Sequence, residues 1–335
     1  MSVIASTNIR YTGTQAGDEK EDVLDRLTEQ SPWETPVLAL VDRAERATDP
    51  LAHKWPLEAY YARPTATPSR IVGEGTDATY AVTETRPVWQ NRTVILQEAR
   101  AVSGSTQASM IHGVTNEYDH QVAVATKLVL RDFEWLLVNG AIDVDSLGPN
   151  TGSDGNKRKM GGLKDQIVNY ANYAVVGSLT GGAIPTNASA GTVFNNADIE
   201  GNLETVADNG GNPSGSHLVI AKRNICRKIR DIYAPFSSTF SVWRRNFGND
   251  TQTSIDLRLH QIETSSGILW LHASQDVPAN EFLAFDPSLF QYVPYRDLAY
   301  TKLAKVGDSD GFLVLMEGTC RLLQPNSAWR VHTVP

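Results

Sequence analysis

Residues 116–140 read NEYDHQVAVATKLVLRDFEWLLVNG and gather Glu117, Asp119, His120, Asp132 and Glu134. Carboxylates beside a histidine are the groups that move protons or hold metals. The spacing favours neither role. A helix shares one metal between histidines four residues apart, whereas His112 and His120 stand about two helical turns apart. The apolar residues of the stretch are more regular. Val114, Tyr118, Val122, Ala125, Val129, Phe133 and Leu136 follow steps of four, four, three, four, four and three. That pattern draws one continuous stripe down a helix. Glu117, Asp119, His120 and Glu134 fall mainly off the stripe and are expected to face solvent or another subunit, while Asp132 borders it.

Three other motifs have the spacing of known chemistry. GDSDG, Gly307 to Gly311, fits a G-x-S-x-G nucleophile elbow with Ser309 as nucleophile. An elbow needs a strand before it and a helix after it. Here AYTKLAKV precedes and FLVLMEGT follows, so strand–turn–strand is expected and a serine hydrolase is disfavoured. GEGTDA, Gly73 to Ala78, fits a dinucleotide fingerprint, but TYAVTETRP follows where a helix is required. DVDSLGPNTGSD, Asp143 to Asp154, partly matches a calcium loop. Leu147 sits where an oxygen ligand belongs, and the last position is Asp instead of the bidentate Glu. HExxH, CxxC and the G-x-x-x-x-G-K-[ST] phosphate loop are absent from the sequence. No catalytic residue, metal or cofactor is therefore expected. A basic set remains: Lys222, Arg223, Arg227, Lys228 and Arg230. It suits phosphate, an acidic neighbour such as the 18–49 segment of another copy, or a solvated helix face.

Composition narrows the classes. The chain has 335 residues and a net charge of −8, which argues against a high-affinity nucleic-acid binder. The acidity is concentrated: Asp18 to Asp49 holds ten acidic against four basic residues. Mean hydropathy is −0.29, and no run approaches the ~18 apolar residues of a membrane span. The start, MSVIASTNIRYTGTQ, lacks the basic and apolar regions of a signal peptide. Two cysteines, Cys226 and Cys320, make no disulfide framework and are expected as free thiols.

The elements that position these residues follow in order. Residues 1–17 read as an extended arm, and 18–30 as a short helix with an acidic first turn. Prolines 56, 64, 68 and 87 forbid a long helix in 51–100. ATYAVTETRP and RTVILQEARAVS there alternate like strands, so a long two-stranded β-excursion is expected. Such a ribbon is marginal alone and needs another surface to lie on. The striped helix is capped by Thr115 or Asn116 and ended by Gly140. Its ~25 residues span about 37 Å. NNADIEGNLETVADNGG reads as a helix with Ile199, Leu203 and Val206 inward, SHLVI as a buried strand, and AKRNICRKIRDI as a helix with Ile225, Ile229 and Ile232 on one face. Residues 252–333 are mainly β. The chain is α+β, with no internal repeat.

This order of parts resembles the major capsid (major head) proteins of tailed bacteriophages, with the Hong Kong 97-type fold. SPWETPVLAL looks like the arm, and EGTDATYAVTETRPVWQNRTVILQEARAVSGSTQA like the E-loop and the strand leaving it. KLVLRDFEWLLVNG looks like the end of the spine helix, with KMGGLKDQI beyond it. DNGGNPSGSHLVIAKRNICRKIRDI looks like the A-domain helix, strand and helix. FLAFDPSLFQYVPYRDLAYTKLAKVGDSDGFLVLMEGTCRLLQPNSAW looks like the closing P-domain strands. The pieces are collinear and cover more than half the chain.

The resemblance implies an N-terminal arm over 1–50, an E-loop over 51–105, and a P-domain over 106–159 with its spine helix at 115–139. An A-domain follows over 160–290, then closing P-domain strands over 291–335. It implies hexamers and pentamers in an icosahedral head around double-stranded DNA, contacted non-specifically. It also implies a portal, separate scaffolding or decoration proteins, no membrane, and assembly in the bacterial cytoplasm. Arg70, Glu74, Arg86 and Arg92 become candidates for contacts between subunits. Lys54 is the only lysine in 51–100, which predicts heads without covalent cross-links, and the short segment before the ribbon predicts no large propeptide. Rival expectations are an encapsulin-like compartment of the same fold, the Ser309 hydrolase, and a tail-tube or decoration protein.

Overall fold

The structure is a computed structural model. It describes residues 35–51, 53–57, 71–77, 86–109, 114–142, 157–176, 186–191, 194–211, 214–233, 261–305 and 307–335. The expected helix at 18–30, the strand ATYAVTETRP apart from its last two residues, the calcium-like loop, and Arg70 lie outside these residues.

In chain order the elements begin with α1 (Pro36–Leu40), β1 (Asp42–Arg43), β2 (His53–Pro56), β3 (Val88–Asn91), β4 (Val94–Ser103), α2 (Gly104–Ala108) and α3 (Glu117–Asn139). Then come α4 (Leu163–Val168), β5 (Ala174–Val176), β6 (Thr186–Ser189), α5 (Ala197–Asp208), β7 (Ser216–Ala221) and α6 (Arg223–Tyr233). The chain closes with β8 (Gln261–Thr264), β9 (Gly267–Ala273), β10 (Phe282–Phe285), β11 (Phe290–Lys302), β12 (Ser309–Leu322) and β13 (Ala328–His332). Three sheets result. One has the order β1-β11-β12-β4, one β6-β13-β10-β7-β9-β8, and one β2-β3-β5.

The long helix forms where the stripe demands it. The Asn116 side chain accepts the Tyr118 N–H at 3.0 Å, and Glu117 and Asp119 sit in the first turn. Both features offset the unsatisfied N–H groups and the positive pole of a helix start. Gly140 caps the helix end with its N–H donating to the Leu136 carbonyl at 2.9 Å, and the Met160 carbonyl approaches so closely that a Cβ would stand 2.6 Å away. Ala125, Val129, Phe133 and Leu137 are buried against β4 and β12. On β12, buried Phe312, Val314 and Met316 alternate with half-exposed Leu313 and Leu315, the period of a strand covered on one side.

The six-stranded sheet is buried on both faces. Leu218, Ile220, Leu283 and Phe285 join the core shared with α3, α4 and β12. Their neighbours Val219, Ala221, Phe282 and Ala284 point the other way, into a second core closed by α5 and α6. A third cluster holds Trp55, Leu57, Trp89, Ile142 and Tyr173 on the small sheet. Trp89 lies between Trp55 and Tyr173, with ring centroids 6.4 and 6.0 Å away.

Two boundaries differ from those expected. The run at 94–103 is not a free ribbon strand. It is β4, paired antiparallel with β12 from Val94↔Gly318 to Ser103↔Ser309. The closing segment is also shared: β13 leaves β12 and joins β10 and β6 in the six-stranded sheet. Both outcomes depend on which distant strand supplies a partner, and alternation within one run does not encode that.

Candidate subunit interfaces

The residues that suggested chemistry are dispersed into positional roles. Glu117 accepts from the Gln121 side chain at 2.6 Å, and Asp119 from the Asn116 side chain at 2.7 Å. Among the described residues no group of three or more His, Cys, Asp or Glu is arranged to hold a metal. Gly307 turns at φ 65°, Ser309 begins β12 opposite Ser103, and the GDSDG motif is a strand–turn–strand hairpin. Cys226 and Cys320 are free, and burial raises both thiols, Cys226 to about 11.

Glu134 departs from expectation. It is fully buried, not solvent-facing. Its two carboxylate oxygens accept the Val37 and Leu38 N–H groups at 2.8 and 2.7 Å, at the first turn of α1. Burial pushes its carboxyl up to about 7, against the pull of these two donors and with a further push from Asp276. Asp132 is exposed on the same helix.

Two further buried carboxylates tie elements together. Glu317 on β12 accepts from Thr93 Oγ1 at 2.8 Å, Arg158 Nη2 at 2.5 Å and Arg296 Nε at 2.7 Å. Burial alone would raise this carboxyl, but the Thr93, Arg296 and Arg158 contacts outweigh it and hold it below the usual range. Glu281 accepts from Arg330 Nε at 2.6 Å and faces Lys164 Nζ at 2.8 Å. The Glu317 cluster clamps the turn between β3 and β4, where the expected ribbon meets the body of the subunit. Trp55 Nε1 donates to the Leu322 carbonyl at 3.1 Å and fixes the other side of that base.

The ribbon candidates separate. Glu74 and Arg86 are exposed, Glu74 in a turn at 73–76 with Gly75 at φ 79°. Ile71 and Val72 beside this turn are 67% and 70% exposed. Arg92 was expected at the ribbon surface; it is buried at 7% exposure in the clamped base, where its N–H donates to the Asn91 side chain. Lys54 lies exposed in β2, paired with Gln90 at that same base.

The basic candidates do come together. Lys222 precedes α6, and Arg223, Arg227, Lys228 and Arg230 lie on it. Arg223 and Arg227 are exposed. Arg230 pairs with neighbouring Asp231, and Lys228 Nζ donates to the carbonyl of Pro335. α5 carries the opposite feature, absent from the sequence-based expectations: Asp198, Glu200, Glu204 and Asp208 and no basic residue. Its composition alone was enough to reveal it.

Solved structures titled as capsids share this fold. The chain matches the structure titled Cyanophage A-1(L) capsid asymmetric unit at TM-score 0.63 and 14% identity, covering 98% of this chain and 99% of that one. It matches the capsid of the native GTA particle at TM-score 0.62 and 8% identity, covering 97% and 99%. For the capsid of Myoviridae phage XM1 the values are 0.54 and 11%, with 99% of each chain covered. No curated protein sequence matches the chain. The family model described as SU10 major capsid protein matches residues 5–335. With that match running nearly end to end, over a fold shared with capsid subunits, the chain belongs to the SU10 major capsid protein family of tailed phages.

Proposed function

We propose that this major capsid protein gathers as hexamers and pentamers and closes an icosahedral head around double-stranded DNA. The supporting observation is the ribbon. Its base is clamped by Glu317, Arg158 and Trp55, while Ile71 and Val72 are exposed and find no core in their own subunit among the described residues. Such a segment gains stability by packing on a neighbour. Glu74 and Arg86, both exposed, are proposed to add charged contacts there, together with Arg70. An acidic chain suits a container whose DNA must enter and leave without sticking. The role is structural, with no chemistry at Ser309, and the heads hold together without covalent cross-links. A portal and separate scaffolding or decoration proteins complete the head.

The test is nuclease treatment of native particles, followed by extraction and a denaturing gel. Protected double-stranded DNA and a single unlinked band of the chain are expected. Protected enzyme cargo without DNA would favour a compartment shell, and a ladder of linked chains would contradict non-covalent assembly.

A further inference from the structure

The second core places two oppositely charged helices on one face of the six-stranded sheet. α5 buries Ile199, Leu203 and Val206 there, and α6 buries Ile225 and Ile229. α5 packs over β6 and β13, and α6 over β9. In the sheet order, β10 and β7 separate these supports. On that one face the acidic helix therefore covers the β6–β13 end and the basic helix the β9 end. Glu204, Arg223 and Arg227 are not spent on ion pairs between the two helices. Glu204 on α5 and Arg223 and Arg227 on α6 are exposed and make no ion pair among the described residues. Glu200 lies near enough to α6 that its charge raises the Tyr233 phenol, behind the larger effect of burial.

We propose that the acidic face of α5 in one copy docks on the basic face of α6 in the next copy around a capsomer. The proposal rests on the hexamer and pentamer reading above and names the surfaces that join its subunits. The two faces differ and lie on separate helices, so one contact repeated by rotation satisfies both of them in every copy. This is the head-to-tail geometry that closes into rings. Complementary charge of this kind guides encounter and fixes register. It weakens as salt shortens the screening length.

Charge reversal tests the pairing on the full chain. One variant combines Glu200→Lys with Glu204→Lys, a second combines Arg223→Glu with Arg227→Glu, and a third carries all four. Particle yield is read by sedimentation at low and high salt, and unfolding of the dissociated subunit is followed alongside. Each double reversal is expected to lower low-salt yield by about tenfold, the effect of losing one favourable charge contact and gaining a repulsive one. The fourfold variant should recover wild-type yield, because swapping both faces restores opposite charge at every contact. The subunit's unfolding midpoint should stay at the wild-type value. Double reversals that assemble like wild type would overturn the pairing. So would a fourfold variant as poor as either half, or a midpoint that falls with the yield. A wild-type chain forming no particle would instead remove the shell proposal, and this pairing with it.

Discussion

At Glu134 a carboxylate in the middle of a helix decides where a distant segment lies. Val37 and Leu38 donate to it across 97 and 96 residues of sequence. Glu134→Ala leaves the buried Val37 N–H without its acceptor, at about 1–3 kcal/mol, and the half-buried Leu38 N–H at less. The expected outcome is faster proteolytic cutting near α1 and a lower urea midpoint; an unchanged digestion pattern would contradict the role. Two buried histidines contribute to acid sensitivity. Burial lowers both His53 and His217 to about 4, helped at His53 by Arg321 and opposed at His217 by Asp286. Their folded-state values lie below the ordinary 6.5, so the folded chain refuses protons that the unfolded chain accepts. Their contribution is present above pH ~6.5 and is lost as pH falls toward ~4. Glu134, held up at about 7, takes its proton earlier in the fold than in the unfolded chain and offsets part of this loss. With two histidines against one carboxyl, urea midpoints should still drop over that window, and His217→Leu should flatten the drop. A slope unchanged in that variant would assign the loss to other groups. None of this was legible in the sequence. Glu134 sits off the apolar stripe, where a charged residue ordinarily faces water, and its partners are fixed only by tertiary packing.

The elements themselves were more legible. The stripe from Val114 to Leu136 anticipated α3, and Asn116 and Gly140 do bound it, because caps and periodicity are local properties. The inward residues of α5 and α6 followed for the same reason. Strand partners did not. β4 and β13 each joined a sheet other than the one their chain position suggested, since pairing is chosen by distant strands. Two glycines of one region separate local from tertiary constraint. Gly211 follows α5, and its Cβ would stand 1.9 Å from the Asn326 carbonyl oxygen; the Asn326 side chain in turn donates to the Asn209 carbonyl at 2.8 Å. Gly211→Ala must part these segments and should cost about 1–3 kcal/mol. Gly201 lies exposed inside α5 with nothing within 4 Å of its Cβ. Gly201→Ala should stabilise by about 0.5–1 kcal/mol. Thermal unfolding of the two variants should shift in opposite directions, and equal shifts would show that the α5 end is not held as described.

Across the whole molecule, three cores lock the described body of the subunit, while the surfaces left over suit other copies better than solvent. Ile71, Val72 and Trp135 are apolar and at least half exposed, and α5 and α6 present opposite charge. The distribution fits a part whose stability is completed by assembly, as its membership of a capsid family implies. The most direct test is electron microscopy of the purified full-length chain under assembly conditions. Closed polyhedral shells built of six- and fivefold capsomers are predicted. A population that stays monomeric at every concentration and salt, or forms only open aggregates without fivefold vertices, would contradict the account.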